Sequence, residues 1–272
     1  MFNEDLGDRM KKYEHITRTH LTPRTPAIIR VDGRAFHTFT RGFEHPFDVV
    51  LVAAMHRTMQ YLCENVQGCV LGYTQSDEIS LVLVDYKKLN SAAWFDYNIQ
   101  KCASIAASMA TMAFGKFFAK ERTQWITKYL LAHEAPDEEY EKYRGALLKA
   151  EERGAMFDAR IFSLPREEVC NYIYWRQIDA TRNSIQMVGQ SQFSHRELQN
   201  KSCNDIQEML FSQKGINWND FPTHLKRGAC CVRTASPDNP ERPRWTVDLQ
   251  IPIFKGEDRS YVERLIEFPD QT

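Results

Sequence analysis

Two acidic stretches flanked by strand-like runs are the residues most able to do chemistry: "AIIRVDGRAFHTF", residues 27–39, and "GYTQSDEISLVLV", residues 72–84. The first apolar run ends in Asp32-Gly33, and the second begins after Asp77-Glu78. Two carboxylates brought within a few ångströms repel unless a positive charge sits between them. Mg²⁺ takes hard oxygen ligands, commonly one or two carboxylates with phosphates and water. Asp32, Asp77 and the carbonyl of Gly33 therefore predict metal-nucleotide binding, and two such ions would clamp the attacking and leaving oxygens of phosphoryl transfer. A glycine lets a triphosphate approach the backbone, whose amides can cradle phosphate. Arg34 and His37 would add charge-assisted contacts, and Ser76 a hydroxyl beside the second carboxylate. Each stretch alone also reads as an ordinary polar turn, Asp-Gly being a common hairpin signal. The pairing carries the argument.

That pairing depends on the elements around it. Ala27 to Val31 reads as a strand stopping at Asp32-Gly33. Asp48 is placed to cap a helix running to about Val66, with apolar residues recurring at three and four. Cys69 to Tyr73 and Ile79 to Val84 form a hairpin around "TQSDE", and Ser91 to about Lys120 reads as a long Ala-rich helix. Residues 156–165 return to strand character. Strand, helix, strand, strand, helix, strand is the ferredoxin-like split β-α-β order. In it the third strand lies between the first two and antiparallel to the first, which sets Asp32 beside Asp77.

The fold class is accordingly α+β: a ferredoxin-like βαββαβ domain over residues 1–165, with 121–153 as a helical insertion expected to be solvated. Residues 166–272 form a C-terminal helical and strand extension packed with the palm as one unit. It comprises two helical stretches, the second with a capping-box-like Ser194 and Glu197. The strands "GACCVRT" and "RWTVDLQIPIF" follow, around the turn-rich loop "ASPDNPERPR".

With 272 residues, 43% hydrophobic and 26% charged, the chain can bury a full core. A net charge of -1 excludes a uniformly basic nucleic-acid coat but permits a local basic groove. Seven cysteines without C-x-x-C spacing argue against a zinc site or disulfide framework, and point to a reducing cytoplasm. Neither a signal-like apolar segment nor a membrane-spanning run is expected. The eight histidines lack H-E-x-x-H spacing, and both G-x-x-x-x-G-K-[ST] and G-x-G-x-x-G are missing. Arg176 and Arg182 face either RNA or solvent on their helix.

The blocks "RVDGRAFHTF", "GYTQSDEISLVL", "FDARIFSLP" and "YWRQIDATRNS" together resemble the tRNA-His guanylyltransferase family in order and spacing. The resemblance implies a polymerase-like palm that adds nucleotides to tRNA 5′ ends in the 3′-to-5′ direction. In that reading Asp32, the Gly33 carbonyl and Asp77 hold two Mg²⁺ ions, and Glu78 completes the catalytic acidic motif. Asp32, Gly33, Arg34, Ala35, Phe36 and His37, with Ser76 and Asp77, contact the nucleotide. GTP, ATP and other nucleoside triphosphates are the expected substrates, with ATP activating the RNA 5′-monophosphate. A cytoplasmic homotetramer that binds tRNA through Arg176, Arg182 and Asn183, and no membrane, is expected. Members dedicated to tRNA-His carry His-Ile-Asn-Asn after "WRQ"; here Thr181, Arg182, Asn183 and Ser184 follow the intervening Ile-Asp-Ala. This implies template-dependent repair of 5′ ends. A Lys that binds triphosphate in other members is replaced by His45. The alternatives are guanosine addition restricted to tRNA-His, a noncatalytic RNA-binding palm, and a nucleotide cyclase or dinucleotide synthase.

Overall fold

The computed structural model describes residues 5–235 and 243–268. Its strands are β1 (Ala27–Gly33), β2 (Cys69–Gln75), β3 (Glu78–Leu83), β4 (Phe157–Ser163), β5 (Ala229–Thr234) and β6 (Arg244–Asp248). They form a sheet in the order β4-β1-β3-β2-β5-β6, antiparallel throughout. The first four strands follow the split β-α-β order, with β3 inserted between β1 and β2. The C-terminal strands extend the same sheet past β2. The turn-rich loop expected before β6 lies mainly at 236–242, outside the described residues.

Helices cover both faces: α1 (Leu6–His15), α2 (Phe36–Phe39), α3 (Val49–Asn65), α4 (Ile99–Ala132), α5 (Glu138–Arg153), α6 (Arg166–Gln192), α7 (His195–Leu198), α8 (Cys203–Lys214), α9 (Thr223–Arg227) and α10 (Ser260–Ile266). Strand residues alternate between faces. Ala27, Ile29 and Val31 of β1 bury against α3 and α4 on one side, while Ile28 turns to Val169, Cys170 and Ile173 of α6 on the other. Asp48 caps α3 as expected, its carboxylate accepting from the Leu51 amide at 2.8 Å. Ser194 and Glu197 form a capping box, but Gln199 ends that turn, and a second box, Ser202 with Asp205, starts α8.

Three boundaries differ from the expected ones. The hairpin strands reach further than the apolar runs, so that only Ser76 and Asp77 remain as the turn. The long helix begins at Ile99 instead of Ser91, because Phe95, Asp96 and Tyr97 hold positive φ of 49°, 56° and 52°. A right-handed helix cannot pass through that conformation, and Asn98 supplies the cap, accepting from the Lys101 amide at 2.9 Å. Its far end runs on to Ala132, so the insertion is a helical hairpin made of the second half of α4 and α5. Among the described helices α4 is the one long and apolar enough to cross a membrane by composition. Here it lines the core through Cys102, Ala106, Ala110, Ala113, Phe114 and Phe118.

The hairpin is not simply solvated. Tyr140, Tyr143, Leu147 and Ala150 of α5 are buried, recurring at helical spacing on one face. Trp125 meets Tyr143 edge-on at 4.6 Å between centroids, and Tyr129 stacks on Tyr140 at 4.3 Å. The Tyr143 hydroxyl donates to the buried Asp48 carboxylate at 2.6 Å, fastening the insertion to the start of α3. Burial raises the Asp48 carboxyl above its usual value, and the hydrogen bonds from Tyr143 and the Leu51 amide oppose that shift. Replacing Tyr143 with Phe removes a bond to an acid group, worth about 1.5–3 kcal/mol. The expected outcome is a lower urea midpoint with unchanged m-value; an unmoved midpoint would show that the bond is not made.

Candidate active site

The inserted strand fixes the site. β1 pairs with β3 in the register Asp32 opposite Glu78, and the Gly33 amide donates to the Asp77 carbonyl at 3.1 Å. β4 pairs on the other side with Asp158 opposite Asp32. Asp158, Asp32 and Glu78 therefore form a cross-strand row on the face covered by α6. Like charges opposite one another are destabilising, and two of the three are neutralised. Asp158 pairs with Arg160 at 3.3 Å, and Glu78 accepts from the Arg176 Nε at 2.8 Å. The Asp32 side chain has no ion-pair or hydrogen-bond partner among the described residues.

Asp77 sits in the adjoining turn, with the Ser76 hydroxyl donating to its Oδ1 at 3.1 Å. Burial raises its carboxyl above the ordinary value, and the nearby Asp32 charge adds to the rise. No group of three or more His, Cys, Asp or Glu side chains arranged for a metal occurs among the described residues. Two hard-oxygen carboxylates, one unpaired and one held above its usual pKa partly by the other, fit Mg²⁺ that takes its remaining ligands from phosphate and water.

The backbone around the carboxylates is unusual. Ala35 (φ 54°) and Ser76 (φ 50°) occupy the left-handed region, which costs about 1–2 kcal/mol for a residue with a β-carbon. Such strain gathers where a structure holds groups for function. A β-carbon on Gly33 would come within 2.3 Å of the Phe36 ring, so the residue after Asp32 must be glycine for Phe36 to pack. That ring belongs to a buried cluster with Phe39, Phe114 and Phe157, centroids 5.1 to 5.6 Å from it.

The residues expected at the site separate accordingly. Asp32, Gly33, Ser76 and Asp77 come together. Arg34, Ala35 and His37 are exposed on the segment leaving the carboxylate. Phe36 is buried and offers a nucleotide only its backbone. Glu78 lies beside the pair, but it is 5% exposed and engaged by Arg176. Burial raises its pKa, and the Arg176 charge opposes that shift.

Arg176, expected to face RNA or solvent, is 7% exposed and also bonds Asp179 at 2.8 Å. Burial disfavours its charge, but Glu78 and Asp179 outweigh that cost. Its guanidinium is occupied inside the protein and cannot reach RNA. Arg182 is exposed and paired with Asp179 at 2.8 Å. Asn183 lines a small cleft of about 80 Å³ together with Phe47, Asp48, Gln75, Ser76 and His224. Burial, and then the neighbouring His224, lowers the pKa of His56 to about 4. Sequence reasoning missed Asp158, although "FDAR" places an acid at the start of a strand, and it missed Asp48 as the anchor for Tyr143.

An antiparallel sheet backed by helices, with one carboxylate at the end of β1 and another in the β2–β3 turn beside it, defines an α+β palm-like enzyme class. A family model for tRNAHis guanylyltransferase matches residues 7–165, and one for the Thg1 C terminal domain matches residues 167–259. A bacterial tRNA(His) guanylyltransferase (Thg1)-like protein in complex with ATP is 40% identical with TM-score 0.80, covering 97% of this chain and 100% of that one. A bacterial Thg1-like protein in complex with GTP is 38% identical with TM-score 0.75, covering 96% and 98%. The tRNA(His) guanylyltransferase of Debaryomyces hansenii is 27% identical over 82% of this chain and 78% of its own length. This chain belongs to the tRNA(His) guanylyltransferase family and is a nucleotidyltransferase.

Removing Arg176 while keeping Glu78 leaves a buried carboxylate unpaired, which costs about 3–5 kcal/mol. Arg176→Met is expected to lose that much in denaturant unfolding, and Glu78→Gln in the same chain to recover part of it. Additive losses in the double variant would show that the two side chains do not act as a pair.

Proposed function

We propose that this chain is a Mg²⁺-dependent nucleotidyltransferase that extends tRNA 5′ ends in the 3′-to-5′ direction, copying the opposite strand to repair them. The observation that carries the reading is the Asp32 side chain, without a partner among the described residues, at the end of β1 beside the turn that carries Asp77. The ATP and GTP complexes of the bacterial Thg1-like proteins support nucleotide as the second participant. Asp32, Asp77 and the Gly33 carbonyl would hold the metal, which supplies charge neutralisation at phosphoryl oxygens.

The protein's own residues do the rest. Gly33 presents bare backbone where the phosphates approach. The exposed Arg34 and His37 supply cationic or hydrogen-bonding contacts to them. Ser76 orients the Asp77 carboxylate through its hydroxyl, and the Glu78–Arg176 pair fixes the strand end behind it. The RNA 5′-monophosphate attacks the α-phosphorus of ATP, forming a phosphoanhydride and releasing pyrophosphate. The 3′-hydroxyl of the incoming nucleotide then attacks the RNA 5′-phosphorus, losing its proton as AMP departs.

Thr181, Arg182, Asn183 and Ser184, in place of the His-Ile-Asn-Asn of members dedicated to tRNA-His, favour templated repair over guanosine addition restricted to that tRNA. A cytoplasmic tetramer is the form in which we propose that it works. Sequencing RNA 5′ ends after incubation of a 5′-truncated tRNA with Mg²⁺ and all four nucleotides tests the reading. Additions complementary to the facing strand are expected with the parent and none with Asp32→Ala or Asp77→Ala. A single untemplated guanosine on tRNA-His alone would overturn the repair mode. No addition by the parent would overturn the activity.

A further inference from the structure

A second charged feature lies outside the carboxylate site. Between the loop that follows α2 and the outer face of α5 runs a solvent-open groove of about 400 Å³. Its walls carry Arg41, Lys142, Lys149 and Arg153, with Glu141 as the one acid among its lining residues. Glu141 is already paired to Arg144 at 3.0 Å. Arg41, Lys142 and Lys149 are exposed, and their side chains have no ion-pair or hydrogen-bond partner among the described residues. Arg153 donates to the Thr38 carbonyl and carries no acid partner there. Several arginines elsewhere on the surface are paired, including Arg57 with Glu121, Arg122 with Glu151 and Arg160 with Asp158. Although α5 as a whole carries five acids and four bases, the residues lining the groove are four bases and one acid, so the positive excess is local to its walls.

The groove is a built feature. Gly42, at φ +88°, lets the loop approach α5 so closely that a β-carbon there would lie 3.1 Å from Ala146. Arg153 ties the far end of α5 to α2, and Tyr143 ties its first half to Asp48. The aromatic cluster of Trp125, Tyr129, Tyr140 and Tyr143 holds α5 on α4 from behind. The loop forming the other wall leaves the sheet directly after Asp32-Gly33, so the groove begins within about ten residues of the carboxylates along the chain.

The length of the cationic row decides among ligands. At about 1.5 Å per helical residue, Lys142 and Arg153 are about 16 Å apart along α5. That exceeds the reach of one triphosphate and matches several successive phosphates of a polymer. We infer that the inserted α5 helix and the Arg41 loop form a binding groove for the phosphate backbone of the RNA substrate. The inference rests on the reading of this chain as an RNA-extending nucleotidyltransferase. It assigns to the insertion the contact that the buried Arg176 cannot make. Contacts of this kind position the RNA without reading its sequence.

The test is a Lys142→Glu/Lys149→Glu variant, both positions lying outside the buried face of α5. Affinity for a 5′-monophosphorylated tRNA is measured as a function of salt, alongside binding of ATP with Mg²⁺. The expected result is tRNA affinity at least tenfold lower at 0.1 M salt, and a log-log salt slope smaller by about 2. ATP binding stays at the parental value. Parental tRNA affinity and slope in the variant would overturn the groove while leaving the activity intact. An equal loss in a Lys116→Glu/Lys120→Glu variant, outside the groove, would overturn it as well, by showing a general charge effect. A parent that binds ATP but no RNA would overturn both the groove and the reading beneath it.

Discussion

The hydrogen bond from the Gly33 amide to the Asp77 carbonyl closes the β1 and β3 pairing at the sheet edge, and the site inherits its geometry from that closure. Strand β3 runs between β1 and β2 with every residue buried, so its register against β1 is held by core packing on both faces. A one-residue slip would send Ile79 and Leu81 out of one core and Glu78 into it. The strain at Ala35 and Ser76, and the tight fit of Phe36 against Gly33, are tolerated because this register leaves the chain nowhere else to go.

Charge follows the same frame. Three strands bring Asp158, Asp32 and Glu78 abreast, and the protein answers with Arg160 and Arg176 for the outer two. The side chain of the central acid has no such partner among the described residues. Negative potential at these strand ends is met by the Arg34 guanidinium on the outgoing segment, and further along by the basic row lining the groove at α5. This order, acid at the edge and base flanking it, suits a metal-bound nucleotide followed by a longer polyanion.

Much of this was legible in the sequence. Short apolar runs bounded by turn residues gave the strands, and strand order alone placed Asp32 by Asp77. Helical periodicity and a capping Asp48 defined α3. The start of α4 was hidden because Ser91-Ala92-Ala93 has high helix propensity, whereas the left-handed turn at residues 95–97 leaves no composition signal. The buried face of α5 was masked by charge: Tyr140, Tyr143, Leu147 and Ala150 have helical spacing but are diluted among nine ionised residues between 138 and 153. Arg176 was misread because its partner Glu78 lies 98 positions away, and nothing local distinguishes a buried arginine from an exposed one.

The account turns on whether two acids, brought together by strand insertion, bind one nucleotide through metal. Calorimetric titration of ATP into the parent, Asp32→Asn and Asp77→Asn proteins, each with Mg²⁺ and with chelator, measures this directly. The account predicts that Mg²⁺ strengthens ATP binding in the parent and that either substitution abolishes the strengthening. Metal-dependent ATP binding that survives in either variant would contradict it.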